Sequence, residues 1–293
     1  MKIVGTLVNQ DDSVSSSRPL DLPDFAKPPV AEVVLSLQFG ALSSLTTAHV
    51  GLLWRRYRDR LPLIEEHPPL APALESFDPP SPPRVEVAFE DKPPAPRVWF
   101  VNEAKTELVQ VQQDRLIHNW RKVGRGDAYP RYERIRERFR DEVSEFEEFL
   151  HDEGLGELAV NQCEVTYVNH IERAGRWEHH GEVEKLLRNW APLPAIAFLP
   201  APEDAVLRWR YRIPGTEGPV GRLYVTAQPS WTTVDGSPVW VMNLMARGAP
   251  IGTGIDGAFE FFDLGREWVV RGFADLTTDS MQRCWERTDA WSG

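Results

Sequence analysis

The stretch Val30–Phe39 reads VAEVVLSLQF and decides the fold of this chain. It is rich in β-branched and apolar residues and has the length of a strand, so we predict a strand here. Side chains alternate along a strand, which gives it one apolar face and one more polar face. The apolar face carries Val33, Leu35, Leu37 and Phe39, and the opposite face carries Glu32, Val34, Ser36 and Gln38. This pattern is typical of an antiparallel sheet that is covered on one side only.

An amphipathic helix and a proline-rich connector follow this strand. Apolar residues at spacings of three and four between Val50 and Leu61 predict the helix, which Pro62 ends. Residues 62–83 contain eight prolines, which predicts an extended connector rather than a helix or a central strand. We then predict four strands, at Arg84–Phe89, Arg97–Asn102, Glu107–Gln112 and Leu116–Lys122.

A long helix closes this first unit, and the second half of the chain shows the same order. The apolar stripe from Tyr132 to Leu150 predicts the helix, and Gly154 follows it as a C-cap. In the second half we predict a strand at Val160–Ile171, a short helix at Val183–Trp190, strands at Val206–Ile213, Gly221–Gln228 and Val239–Arg247, and a closing helix at Trp268–Arg287. Ser230–Val234 is either the fourth strand or an extension of a hairpin.

The shared order predicts an α+β fold made of two tandem β-α-β4-α repeats. We expect the repeats to form one curved antiparallel sheet, with helices packed on one face. The first repeat spans residues 28–156 and the second spans residues 157–293, so the two have similar lengths. Residues 1–27 are expected to form a flexible leader.

Composition restricts the classes of function. The chain has 293 residues, of which 42% are hydrophobic and 26% charged, which is typical of a globular protein. Its 33 Lys and Arg against 44 Asp and Glu give a net charge of −11, so any nucleic-acid binding needs a local basic patch. The two cysteines, Cys163 and Cys284, are too few for a disulfide scaffold and favour a cytoplasmic location. We identify no secretory signal and no membrane-spanning stretch, and we expect no membrane partner.

Two resemblances extend these predictions. The element order over residues 28–288 resembles the TATA-box-binding-protein-like architecture, which implies that the open sheet face binds the ligand. That face would carry Glu32, Ser36, Gln38, Gln162, Glu164, Thr166 and His170. It lacks the phenylalanine pairs and lysines of a minor-groove wedge, which argues against DNA binding in that manner.

The second resemblance lies in the sequence itself. The strings PPVAEVVLSLQF, GLLWRRYRDRLPLIEEHPPL, ELVQVQQDRLIHNWRKVG, YPRYERIRERF and VNQCEVTYVNH resemble a sporadically distributed, uncharacterised bacterial protein family. They cover most of residues 28–172. The resemblance implies a bacterial cytoplasmic protein, and it brings no catalytic residues to this chain.

Three motifs carry little chemistry. Gly252–Gly257 fits G-x-G-x-x-G, but a dinucleotide site needs a parallel strand and a crossover helix, and the neighbours here look antiparallel. The adjacent histidines in Glu178–Glu182 point apart, so a solvated loop is favoured over a metal site. Cys163 and His170 lie on opposite faces of their strand, which argues against a Cys–His nucleophile. We therefore predict no catalytic residue, no metal and no cofactor.

The segment from Arg115 to Tyr132 is the most distinctive. It combines cationic donors, which suit phosphate or carboxylate, with aromatic rings, which suit base stacking. The candidate binding residues are Arg115, His118, Asn119, Trp120, Arg121, Lys122, Arg125, Tyr129 and Arg131, together with Gln162, Glu164 and His170 on the open face. The alternative is a structural strand edge, in which Trp120 packs in the core and Arg131 pairs with helix glutamates.

These observations lead to three hypotheses. The first is a non-enzymatic binding or regulatory protein that engages a protein partner or small ligand through the open sheet face and the Arg115–Tyr132 segment. The second is a nucleic-acid or nucleotide binder that uses a local Arg/Trp/Tyr patch, of the kind found in defence or toxin–antitoxin systems. The third is an enzyme whose acid–base cluster the sequence does not reveal.

Overall fold

The computed structural model describes residues 19, 21–77, 95–124, 126–190 and 198–289. Val30–Phe39 forms a strand in it, as the alternation predicts. In these ranges the strands are β1 Val30–Phe39, β2 Leu63–His67, β3 Arg97–Val101, β4 Glu107–Gln112, β5 Arg115–Arg121, β6 Val160–Glu172, β7 Leu207–Pro214, β8 Pro219–Trp231 and β9 Pro238–Gly248. The helices are α1 Thr47–Tyr57, α2 Tyr132–Asp152, α3 Val183–Leu186, α4 Gly254–Leu276 and α5 Asp279–Cys284.

The described strands form one antiparallel sheet in the order β2-β3-β4-β5-β1-β6-β9-β8-β7. The two strands with the clearest alternation, β1 and β6, pair with each other at its centre. Leu35 lies opposite Val165 on β6 and opposite His118 on β5. Each half of the sheet therefore extends outward from this central pair, and β2 and β7 are the two edge strands of the described sheet.

The helices cover one face, and the hydrophobic core lies between them and the sheet. Phe139 of α2 is fully buried and packs against Phe262 of α4, with ring centroids 5.7 Å apart. Burial of one such side chain stabilises the fold by roughly 1.5–3 kcal/mol. The α+β class, the antiparallel sheet and the single layer of helices are thus confirmed.

Two glycines let α4 approach the sheet closely. Gly221 on β8 and Gly248 on β9 lie directly opposite each other, beneath the ring of Phe261. A Cβ on Gly248 would lie 2.3 Å from both Phe261 Cε2 and the carbonyl oxygen of Val220. A side chain at this position would therefore force α4 away from the sheet.

The two halves are less alike than a strict repeat requires. Between its helices the first half has four strands, whereas the described part of the second half has three. Ser230 belongs to an extended β8, and the chain turns before β9. The closing helix begins at Gly254 rather than Trp268, and it is split into α4 and α5. The order of elements is similar, but the tandem repeat is not confirmed.

One strand lies where the proline count predicted a connector. β2 occupies the five residues between Pro62 and Pro68, none of which is proline, and proline flanking is compatible with an edge strand. The strand predicted at Arg84–Phe89 lies outside the described residues.

The described end of the expected leader packs onto the fold. Phe25 is buried and contacts the rings of Phe273 and Trp285 at centroid distances of 5.8 and 6.1 Å. Its main chain also forms a bridge with Arg287. Residues 21–27 therefore contribute to the core beside α4 and α5. None of the helices in the described ranges has the length and apolar composition that a bilayer crossing requires.

Candidate functional site

The sheet face opposite the helices, here called the underside, carries the candidate site. The sequence predicted a bare surface, but residues 68–77, here called the strap, cross it from β4 to β8. This is a correction to the open-face prediction. The strap follows directly from β2, and its prolines keep it extended. Buried polar side chains of the underside form hydrogen bonds with the strap. Without the strap they would need water as their partner.

In the first half of the sheet, side-chain amides bind the main chain of the strap. The amide of Gln112 accepts a hydrogen bond from the Leu70 N–H at 2.8 Å and donates one to the Leu70 carbonyl at 2.9 Å. Arg115 donates to the Ala71 carbonyl at 3.1 Å and also to Gln38. These contacts depend on main-chain atoms of the strap and not on its side chains.

The strap continues across the centre of the sheet in the same way. Gln38 on β1 accepts a hydrogen bond from the Ala73 N–H at 2.9 Å, and Gln162 on β6 accepts one from the Glu75 N–H. Gln38 and Gln162 are 4% and 2% exposed. The two central strands therefore hold alternate main-chain positions of one extended segment.

A carboxylate anchors the end of the strap. Glu75 forms an ion pair with Arg222, and the Tyr224 hydroxyl donates to its other oxygen at 2.6 Å. The Glu75 side chain is only 3% exposed. Arg222 also donates to the Ser76 carbonyl and lies 5.0 Å from the centroid of the Phe77 ring. The hydrogen bond to Tyr224, together with Glu75, raises the pKa of Arg222, which stays charged.

Arginines are concentrated on this half of the underside. Arg212, Arg222 and Arg247 lie directly opposite one another on β7, β8 and β9. Like charges in such positions destabilise a sheet unless carboxylates offset them. Glu75 pairs with Arg222, and Glu164 pairs with Arg247 at 2.7 Å. The ion pair with Glu75 therefore reduces the repulsion among these three arginines.

The edge strand β7 carries further positive charge on the same face. Arg208, Arg210 and Arg212 are exposed and alternate with residues that face the helices. Arg210 lies over the ring of Tyr224, 5.5 Å from its centroid. Among the described residues, neither Arg208 nor Arg212 forms an ion pair. This edge is a local basic surface on an acidic protein.

Several predicted residues do lie on the underside, in different environments. Arg115 and Gln162 are buried beneath the strap, and Glu164 pairs with Arg247. Asn119 bridges Gln110 and Glu32 through hydrogen bonds of 2.6 and 2.7 Å. Arg121 donates to the Lys105 carbonyl at 2.7 Å.

His170 lies beyond the strap and is exposed. Partial burial lowers its pKa, and the nearby Glu172 and Glu32 only partly oppose this effect. We therefore expect a neutral imidazole at neutral pH.

The other predicted residues do not belong to this surface, which corrects the single Arg115–Tyr132 patch. Strand alternation turns His118 and Trp120 toward the helices, where both are buried. The Tyr129 hydroxyl lies 3.0 Å from that of Tyr167, and Arg131 pairs with Asp24 at 2.9 Å. Lys122 is exposed beyond the end of β5, and Arg125 lies outside the described residues.

A small cavity lies on the helix side, near Tyr129. Its volume is about 50 Å³, enough for a few water molecules. Arg131 and Arg266 line it, but Asp24 and Glu133 respectively pair with them. The positive charge of the cavity is thus compensated.

The three sequence motifs have structural roles. Cys163 faces the helices, and burial raises the pKa of its thiol, so the thiolate is disfavoured. The thiol also lies on the opposite face of the sheet from His170. His180 is surrounded by Trp177, Trp231 and Trp240, and its ring lies 3.1 Å from the Val239 carbonyl. Gly252 and Thr253 precede α4, and Gly254–Gly257 belong to its first residues, after an antiparallel strand.

Sequence reasoning identified Gln38, Arg115 and Gln162 but missed the rest of the strap's contacts. Glu75 gave no signal, because nothing local distinguishes it from an exposed glutamate. The alternation of Arg208, Arg210 and Arg212 with aromatic residues was a visible signal for the basic edge.

No protein-family model, no curated protein and no solved structure significantly matches this chain.

Proposed function

We propose that this protein is a binding protein whose underside holds an extended peptide segment of a protein partner, and that the strap occupies this surface in cis. The observation that carries the proposal is the arrangement of Gln112, Gln38 and Gln162, which all bind main-chain atoms of one extended segment. Main-chain hydrogen bonds supply affinity in extended-peptide recognition, and pockets for side chains supply specificity. Arg222 and Tyr224, which bind the Glu75 carboxylate, form such a pocket.

The strap competes with any partner that binds the same surface. A tethered segment has an effective concentration of about millimolar, which weakens binding in trans without a change in the intrinsic contacts. The wild-type protein should therefore bind a free peptide weakly, and a protein without the strap should bind it more strongly.

We test this with a fluorescent peptide that has the sequence of residues 68–77. We expect the variant in which a Gly/Ser segment of equal length replaces residues 68–77 to bind the peptide at least about 10-fold more tightly than wild type. Fluorescence anisotropy measures both dissociation constants. Glu75→Ala provides a milder release of the strap, and Glu66→Ala, an exposed change on β2 outside the strap, is the control. Absence of saturable binding to the released and wild-type proteins would contradict the proposal.

The basic edge favours a second candidate function, the binding of single-stranded nucleic acid. Its site differs from the Arg121–Arg131 patch of the sequence prediction, because Arg208, Arg210 and Arg212 lie together and without ion pairs among the described residues. Arginine side chains bind phosphates, and their loss reduces both the affinity and its dependence on salt.

The expected result is a low-salt mobility shift of a single-stranded oligonucleotide that the triple change Arg208→Ala/Arg210→Ala/Arg212→Ala removes. Loss of three phosphate contacts reduces the slope of log affinity against log salt by ~2. The matched control removes three exposed arginines elsewhere, with Arg55→Ala/Arg134→Ala/Arg283→Ala. No shift by the wild-type protein at low salt would exclude this candidate.

The proposal includes a cytoplasmic location in a bacterium and an origin of the two halves by duplication. The unpaired cysteines Cys163 and Cys284 support the location. The outward order of strands from the β1–β6 pair supports the duplication and the likeness to a TATA-box-binding-protein-like saddle.

A further inference from the structure

The underside binds three main-chain N–H groups of the strap. The underside accepts hydrogen bonds from the N–H groups of Leu70, Ala73 and Glu75. The strap's prolines are Pro68, Pro69 and Pro72. Proline has no N–H, so it fits a bound segment only where no donor is needed. A peptide with proline at 70, 73 or 75 could not form these three hydrogen bonds.

Each acceptor is costly to leave without a donor. Gln112, Gln38 and Gln162 are 8%, 4% and 2% exposed. A peptide that leaves one of these buried oxygens without a donor should bind about 10-fold or more weakly. The three glutamines therefore exclude proline at three positions and leave the positions between them unrestricted.

The end of the segment is recognised by charge. Arg222 and Tyr224 both bind the Glu75 carboxylate, and the guanidinium of Arg222 lies over the Phe77 ring. An acidic residue at this position completes the arginine row on β7, β8 and β9. An uncharged residue would leave Arg222 without its carboxylate.

We propose that the partner is an extended, proline-containing acidic peptide that the underside reads in a fixed register. This rests on the proposed function. In the numbering of the strap, the peptide has non-proline residues at 70 and 73, glutamate at 75 and an aromatic residue at 77, and it accepts proline at 72. Proline at 71 or 74 is compatible, because Ala71 and Leu74 donate no N–H to the underside and proline favours the extended conformation of the residue before it.

The test is a substitution series in the free peptide of residues 68–77, measured against the full chain with the Gly/Ser replacement. We expect Ala73→Pro and Glu75→Gln each to weaken binding at least about 10-fold. The matched control Leu74→Pro should change the dissociation constant by less than about 3-fold, because it adds proline one position away without removing a used donor.

A change in the protein verifies the direct contact. In the Gln38→Ala variant the Ala73→Pro penalty should largely disappear, because the acceptor that needs the donor is absent. If the parent peptide binds but Ala73→Pro and Leu74→Pro weaken it equally, the register is wrong and the proposed function stands. If the parent peptide does not bind at all, both proposals are wrong.

Discussion

Replacement of His118 by leucine is expected to lower the free energy of unfolding by about 1–3 kcal/mol, the cost of leaving a buried polar oxygen without its hydrogen-bond partner. His118 Nδ1 lies 2.8 Å from Glu142 Oε2, and both side chains are only 2% exposed. Arg60 pairs with the other carboxylate oxygen at 3.5 Å and keeps this contact in the variant, whereas Glu142 Oε2 loses its donor. The substitution therefore leaves a buried carboxylate without its nearest hydrogen-bond donor, which costs far more than the loss of a surface ion pair.

Urea denaturation of a double-mutant cycle measures this effect. We expect His118→Leu/Glu142→Leu to recover much of the loss, because replacing both partners of a buried hydrogen bond by apolar side chains is often nearly neutral. His151→Leu, on the exposed side of α2, is the control and should change stability by less than about 0.5 kcal/mol. A small effect of His118→Leu, similar to that of the control, would show that Glu142 does not depend on His118 for a buried hydrogen bond.

Gly248→Ala is expected to destabilise the fold by about 3 kcal/mol, at the upper end of the range for overpacked sites. The added Cβ would meet both the Phe261 ring and the Val220 carbonyl at 2.3 Å. A side chain can adopt another rotamer, but the carbonyl is part of β8 and cannot move without disturbing the sheet. Relief therefore requires separation of β8, β9 and α4.

The melting temperature, measured by circular dichroism, checks this prediction. Gly40→Ala is the matched control, because nothing lies within 4 Å of a Cβ placed there and its φ is not positive. Phe261→Leu in the Gly248→Ala background should restore only part of the stability, because the Val220 contact remains. Equal melting temperatures for the two alanine variants would contradict the close packing of α4.

Local pattern was sufficient for the sheet and its core. The alternation in β1 and β6 predicted which residues face the helices, including Cys163 and Val165. The same alternation could have placed His118 inside, since it shares a face with Leu116 and Trp120. The cationic and aromatic composition of the segment predicts a binding role for His118 instead, and its burial against the helices contradicts that role.

The site depended on contacts that no local pattern contains. The prolines between residues 62 and 77 indicated an extended segment, but not that residues 70–75 lie on the underside. Glu75 and Arg222 are 147 residues apart, and only the assembled sheet brings them together. The short β2 was missed because the prolines on both sides of its five residues predict a connector and not a strand.

The central pairing of the sheet has a consequence for synthesis. Leu35 of β1 and its partner Val165 of β6 are 130 residues apart, so a growing chain presents β1 long before β6 leaves the ribosome. During that interval an apolar strand of ten residues has an unpaired edge, which is a template for aggregation. The first half alone should therefore be prone to self-association, and slow translation between residues 40 and 160 should increase the need for chaperones.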